Sequence, residues 1–289
     1  MPRPVRITKR ERPTQPMDLR QMTSASQTFA IPELFELILL NLDTRTLLTK
    51  AQLICHTWTS FIQESPAIQW ALFFKPEPIG SPWQNPLLAE VFPSIFTSDP
   101  DVQSNVNLTF TNFDLILNSH KFDAYMRPEA SWRRMLVQQP PLSTLSLLRS
   151  SAGHGGQLFY HYEALVSDIS SLTAIDLPSG LRMETVFETL IFSEMWEQFD
   201  YQQATEAIWG PEQLAKMVRT DLERYGVENF GLMIFTSVGW SRHGLVGSSL
   251  DWECAIVKKV KEGYQKLGLK PKVTAQAFVK RKSYGSLWD

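Results

Sequence analysis

An α+β fold is expected: a small helical bundle toward the N-terminus, then a larger mixed α+β domain. Three observations predict it. Residues 29–74 pack several short apolar helical segments between polar and proline breaks. The stretch Lys75-Pro76-Glu77-Pro78-Ile79-Gly80-Ser81-Pro82 cannot continue a helix, because three prolines and a glycine interrupt it. Beyond residue 106, alternating strand-like runs mix with helix-like runs and no internal repeat is visible.

Residues 1–27 are rich in Pro, Arg, Thr, Ser and Gln and poor in apolar residues, the composition of a disordered basic tail. Within them Lys9-Arg10-Glu11-Arg12 is a weak import-like cluster, outweighed by its reading as solvated chain. The opening has no apolar stretch of the kind a secretory leader carries, and no apolar run anywhere has the length of a membrane span.

Residues 28–74 form the helical module. Pro32 suits a first helical turn, where its missing N–H costs nothing, and Glu33 and Glu36 lie near the positive end of that helix. Leu34, Leu37, Ile38 and Leu42 make one apolar row, and Phe35 and Leu39 make a second. A surface helix of a monomer needs one stripe only. Asp43 or Thr44 caps the next helix, where Leu47, Leu48 and Ala51 face inward. Trp58, Phe61 and Ile62 mark a third segment, broken at Ser65-Pro66, and Ile68, Trp70, Leu72, Phe73 and Phe74 follow as ties to the domain behind. So much apolar surface in one small module points to a partner protein.

Residues 75–105 read as a Pro-rich linker and an irregular connection that packs locally. Residues 106–289 read as the mixed domain. Val106–Phe110 suits a strand, Pro128–Val137 a helix presenting Trp132, Met135 and Leu136, and Pro140-Pro141 ends it. Leu181–Glu194 and Pro211–Tyr225 suit helices, and Phe230–Val238 a buried strand. Trp252–Leu267 suits an amphipathic helix stopped by Gly268, and Lys272–Val279 a final strand.

The chain has 289 residues, with 43% hydrophobic and 20% charged residues, an ordinary globular balance. Net charge is −2 but unevenly spread. Residues 1–28 carry six Lys/Arg against two carboxylates, and residues 255–289 nine against two. The basic C-terminal stretch interleaves Tyr264, Phe278, Tyr284 and Trp288, a pattern open to nucleic acid, although a solvated face is the commoner meaning of such runs. The same surface suits an acidic or phosphorylated target.

Catalytic patterns are weak. Gly153-His154-Gly155-Gly156 has an oxyanion-loop look, but no G-x-S-x-G elbow accompanies it, and Gly247–Asp251 fails at the last glycine. Cys254 with His243 and Asp251 is a thin basis for a thiol triad. The two cysteines, Cys55 and Cys254, sit in no metal-ligand spacing, and His154 and His161 lack completing ligands. No phosphate-binding or dinucleotide fingerprint occurs, so no cofactor and no metal are expected. Two reduced thiols fit a cytoplasmic or nuclear protein.

The landmarks Ile31-Pro32-Glu33-Leu34, Ile38, Leu42, Leu47-Leu48, Ile54-Cys55 and Trp58, taken in order, resemble the F-box motif, in the variant of filamentous ascomycete fungi. Asp43, Arg45-Thr46-Leu47-Leu48 and Leu72-Phe73-Phe74 also resemble that variant. Ile31 replaces the usual Leu, and Leu53-Ile54 stands where a polar residue and Val are usual. Two later stretches, Arg127–Met135 and Gly180–Met183, look like the same fungal group.

The resemblance implies a non-catalytic, substrate-recognition subunit of an SCF-type (Skp-cullin-F-box) ubiquitin ligase. Its adaptor-binding residues would be Ile31, Pro32, Leu34, Ile38, Leu42, Leu47, Leu48, Ile54, Cys55 and Trp58. Its partners would be a Skp-type adaptor, through it a cullin, and a target protein held by the C-terminal domain. The alternatives are an F-box interaction protein acting outside a ligase, and an enzyme within residues 100–289.

Overall fold

The computed structural model describes residues 28–77, 79–96, 113–153, 156–165, 180–192, 203–213, 230–238, 248–272 and 279–284. The expected tail at 1–27, the strand at Val106–Phe110, most of the helix at Pro211–Tyr225 and most of the strand at Lys272–Val279 lie outside them. The chain forms two compact units, Met1–Phe61 and Ile62–Asp289, and the elements are those of an α+β protein.

In the first unit, helix α1 (Pro32–Leu40) starts with its proline in the first turn and Glu33 beside it, as the sequence predicts. Asn41 closes it, its side-chain amide donating to the Leu37 carbonyl at 2.7 Å. Helix α2 (Thr44–Thr49) is capped by Asp43, whose carboxylate accepts from the Thr46 amide at 2.8 Å. A 3₁₀ turn (Ala51–Leu53) leads to α3 (His56–Glu64), and the Thr59 hydroxyl donates to the Gln52 carbonyl at 2.6 Å, tying the two together. The hydrophobic centre is aromatic. The Phe35 ring lies 4.8 Å from both Trp58 and Phe61, and Phe29 edges onto Phe35 and Trp58 at 5.6 Å.

Residues 62–74, which the apolar pattern alone joins to the first module, pack within the second unit. Helix α4 (Pro66–Ala71) is capped by the Ser65 hydroxyl, so Ser65-Pro66 ends one helix and starts another. It closes in a Schellman motif: the Phe73 amide donates to the Trp70 carbonyl and the Phe74 amide to that of Gln69, both at 2.9 Å. The position that such motifs reserve for glycine is Phe73, at φ 59°. Holding a side chain there costs about 1–2 kcal/mol. The offset is its complete burial, with its ring 4.5 Å from Trp83.

The proline-rich stretch that follows is held at its start. The buried Gln139 side chain accepts from the Glu77 amide at 2.7 Å and donates to the Lys75 carbonyl at 2.8 Å. Strand β1 (Trp83–Gln84) then pairs with β2 (Gln138–Gln139). Residues 85–96, expected to be irregular, instead form helices α5 (Pro86–Val91) and α6 (Pro93–Phe96). Both prolines occupy first positions, where they start helices rather than break them. The Asn85 side chain caps α5 and also donates to the Leu136 carbonyl at 3.1 Å.

Short helices α7 (Asp114–Leu117) and α8 (Phe122–Met126) lead to α9 (Ser131–Arg134). The helix expected over Pro128–Val137 is thus a single turn. Met135 is extended, at φ −72° and ψ 136°, and Leu136 and Val137 donate to the Phe73 and Leu181 carbonyls at 2.8 and 3.1 Å. Tertiary hydrogen bonds replace the helical ones, while Trp132, Met135 and Leu136 stay buried.

The remaining elements are β3 (Thr144–Gly153), β4 (Gly156–Leu165), α10 (Met183–Phe192), β5 (Gln203–Trp209), β6 (Leu232–Val238), α11 (Ser248–Lys266) and β7 (Val279–Tyr284). The sheet order is β5-β6-β3-β4-β7, antiparallel throughout except for the parallel β3/β6 pair. Central strands carry continuous buried runs, Leu145–Leu148 and Leu232–Phe235, because both faces are covered. The expected helices at Leu181–Glu194 and Trp252–Leu267 and the strand at Phe230–Val238 are present, with Gly268 at φ 65° closing α11.

Candidate protein-binding surface

Helix α1 separates its two apolar rows. Phe35 and Leu39 are buried, whereas Ile31, Leu34, Leu37 and Ile38 are exposed, Leu37 at 58%. At 100° per residue the four exposed positions occupy a stripe about 120° wide. The turn after α2 adds Leu53 and Ile54, exposed at 83% and 58%. Four of these six residues were singled out from the sequence; Leu37 and Leu53 were not. The signal for Leu37 was its place in the first apolar row, but periodicity cannot say which of two rows faces inward. For Leu53 the signal was an apolar residue where the resembled motif usually has a polar one, but that alone does not say it faces water.

The other sequence-selected positions divide. Pro32 and Cys55 are exposed, and Leu42, Leu48 and Trp58 are half-buried. Leu47 is buried at 2% exposure, so its contribution is to the module's interior and not to a surface that a partner touches. Trp58 serves the aromatic centre with Phe35 and Phe29. Electrostatics here are mild. Hydrogen bonds from Thr46, side chain first and then backbone, hold the Asp43 carboxyl below its usual range, so the α2 cap is charged at neutral pH.

The second unit holds a buried polar centre. Arg133, 2% exposed, donates to the Tyr264 hydroxyl (2.7 Å), Glu184 Oε1 (3.2 Å) and the carbonyls of Arg127 (3.0 Å) and Met126 (3.2 Å). The Tyr264 hydroxyl donates to Glu188 Oε1 at 3.2 Å, and Lys272 reaches Glu184 Oε2 with its ammonium and Glu188 Oε2 with its amide, each at 2.6 Å. Burial first, and then the Glu188 charge, push the Tyr264 phenol upward, so it keeps the proton it donates. This network joins α9, α10 and α11. Its groups satisfy one another, which marks it as structural.

Nearby, three sequence landmarks converge. The Leu136 amide donates to the Phe73 carbonyl, the Met183 amide to that of Met135 at 2.9 Å, and Leu136 bridges Arg182. The Arg182 guanidinium donates to the carbonyls of Arg134 and, at 3.4 Å, of Phe74, while Arg134 lies over the Phe74 ring at 4.8 Å. Burial, helped by Arg134, lowers Arg182 to about 10, leaving it cationic at neutral pH. Gly180, at φ 152°, has no room for a Cβ, which would fall 2.5 Å from Pro141 Cβ.

The catalytic alternatives gain no geometry. Gly153 and Gly156 pair at the end of the β3/β4 hairpin. His154 and His243 lie outside the described residues, and Cys254 falls within α11. Among the described residues no group of His, Cys, Asp or Glu could hold a metal ion, and no helix is long and apolar enough to cross a membrane. Compared with known proteins, the chain matches no family model, no curated protein and no solved structure.

Proposed function

We propose that the chain is the substrate-recognition subunit of an SCF-type ubiquitin ligase, with residues 28–61 as the F-box part that grips a Skp-type adaptor. The observation that carries the reading is the exposed apolar stripe Ile31, Leu34, Leu37 and Ile38, on the helix that bears the Ile-Pro-Glu-Leu landmark. A helix whose Phe35 and Leu39 already supply the interior does not need that second row for its own fold. An apolar stripe of this kind in water fits a groove on a partner. Leu53 and Ile54 add to the apolar surface the first unit presents.

The work is geometric. One unit is held by the adaptor, the other holds a target, and ubiquitin transfer gains from the raised local concentration. No bond is made or broken by this chain.

The test is co-expression with a Skp-type adaptor and capture through a tag on the chain. Leu34→Asp with Ile38→Asp places two charges in the stripe and should abolish capture while helical content is unchanged. Capture of the adaptor at undiminished strength by that variant overturns the proposal. Recovery of a cullin in the wild-type capture separates a ligase subunit from an adaptor-bound protein working elsewhere.

A further inference from the structure

The two edges of the five-stranded sheet differ. On β5, helix α6 packs closely: the Trp209 indole donates to the Ile95 carbonyl at 2.6 Å and its ring lies 5.5 Å from Phe96. At the opposite edge β7 pairs with β4 and, among the described residues, with no second strand. An edge strand presents an outer row of backbone N–H and C=O groups, a template for one more strand.

The sequence of that edge is Val279-Lys280-Arg281-Lys282-Ser283-Tyr284, three consecutive cations. Lys280 stands opposite Tyr162 and Lys282 opposite His161, so Arg281 is the extra residue of a bulge. The adjacent strand offers little neutralisation, since its ten residues include one carboxylate, Glu163. A cationic, bulged edge keeps two copies of the same chain from pairing, because like charges placed opposite each other repel. The same charge favours a strand of opposite sign.

We propose that the β7 edge takes up an extended acidic segment of a target protein as a sixth strand, resting on the reading of the second unit as the target-holding half. The backbone ladder supplies affinity, and the Lys-Arg-Lys run selects carboxylates or phosphates. A nucleic-acid strand has the charge but no amides to complete the ladder, which is why a peptide is the occupant.

The probe is a fluorescein-labelled decapeptide of alternating Glu and Thr, titrated with the full chain and read by anisotropy. A second peptide has alternate amide nitrogens methylated, which removes donors and leaves the charge; a third replaces Glu by Lys; the fourth probe is a uridine decanucleotide. The Glu/Thr peptide should bind, its methylated form about tenfold more weakly, and the Lys/Thr peptide should not bind. Lys280→Gln with Lys282→Gln should weaken the Glu/Thr peptide roughly tenfold, as two lost cross-strand charge pairs would. The methylated comparison uses the unaltered protein, so it reads the edge even if the variant fails to fold. Absence of Glu/Thr binding, equal binding of the methylated peptide, or tighter binding of the oligouridine overturns the proposal. Leu34→Asp with Ile38→Asp should leave peptide binding intact, so loss of adaptor capture and loss of the edge are separately visible.

Discussion

The Arg133 guanidinium donates to the Tyr264 hydroxyl at 2.7 Å, joining residues 131 positions apart inside the second unit. The same nitrogen reaches Glu184, and the guanidinium lies over the Trp132 and Tyr264 rings at 4.7 and 5.1 Å. One planar cation thereby satisfies two carbonyls, a carboxylate and a phenol with almost no exposure to water.

Replacing it should be severe. Arg133→Met leaves Glu184 paired with Lys272, the Tyr264 proton on Glu188 and the Arg127 carbonyl on the Ala130 amide, but strands the Met126 carbonyl and removes the charged donor to the Tyr264 oxygen, with an expected loss of about 3 kcal/mol. Arg133→Lys should recover little, because one ammonium cannot meet a fork of four acceptors. Urea unfolding followed by tryptophan fluorescence checks both; a wild-type midpoint for Arg133→Lys would show that charge alone matters.

Phe73 combines a strained backbone with a buried ring, and two substitutions separate the terms. Phe73→Ala loses the ring, about 3–5 kcal/mol, and keeps the strain. Phe73→Gly loses the ring and relieves the strain. The glycine variant should therefore be the more stable of the two by about 1 kcal/mol, after its greater unfolded-state entropy is counted. Thermal melts that place alanine above glycine would remove the argument.

The two rows of α1 predict opposite phenotypes. Phe35→Ala empties the aromatic centre and should cost about 3–5 kcal/mol. Leu37→Ala changes an exposed side chain and should alter stability by less than about 0.5 kcal/mol, while weakening adaptor capture on the proposed reading. Circular dichroism melts and capture, run on the same preparations, distinguish them.

Acid should weaken the α7–α8 region through Asp114. Burial raises its pKa, but hydrogen bonds from Tyr125, Lys121 and Asn118 outweigh that and leave it lowered. A carboxyl depressed in the native state contributes fully above the usual carboxylate range, and that contribution fades as pH falls through the native value. Asp114→Asn should flatten the acid limb of a stability-against-pH curve and leave little pH dependence from this site. An unchanged acid limb in the variant would locate the titration elsewhere.

Local punctuation was readable because its energetics lie within a turn. Pro32, Asp43, Ser65-Pro66 and Gly268 act on hydrogen bonds three or four residues away, and the structure places each at a helix end. Strand β3 was missed. Thr144–Gly153 is rich in Leu and Ser, keeps two-residue alternation only over Thr144–Leu147, and is a strand because β4 and β6 pair with it on either side. The exposed stripe was half legible: two apolar rows were evident, their directions were not.

By itself, the sequence determined the helix ends at Pro32, Asp43, Ser65-Pro66 and Gly268, though not the helices that Pro86 and Pro93 start, and that the N-terminal module carries more apolar surface than it can hide. Tertiary structure decided the rest: that Phe35 and Leu39 turn inward, that Phe73 and Phe74 meet Leu136 and Arg182, and that Met135 to Val137 leave the helix. The physical reason is range. A cap is satisfied by atoms its own turn supplies, whereas burial and cross-chain hydrogen bonds depend on partners that only the folded chain brings within reach.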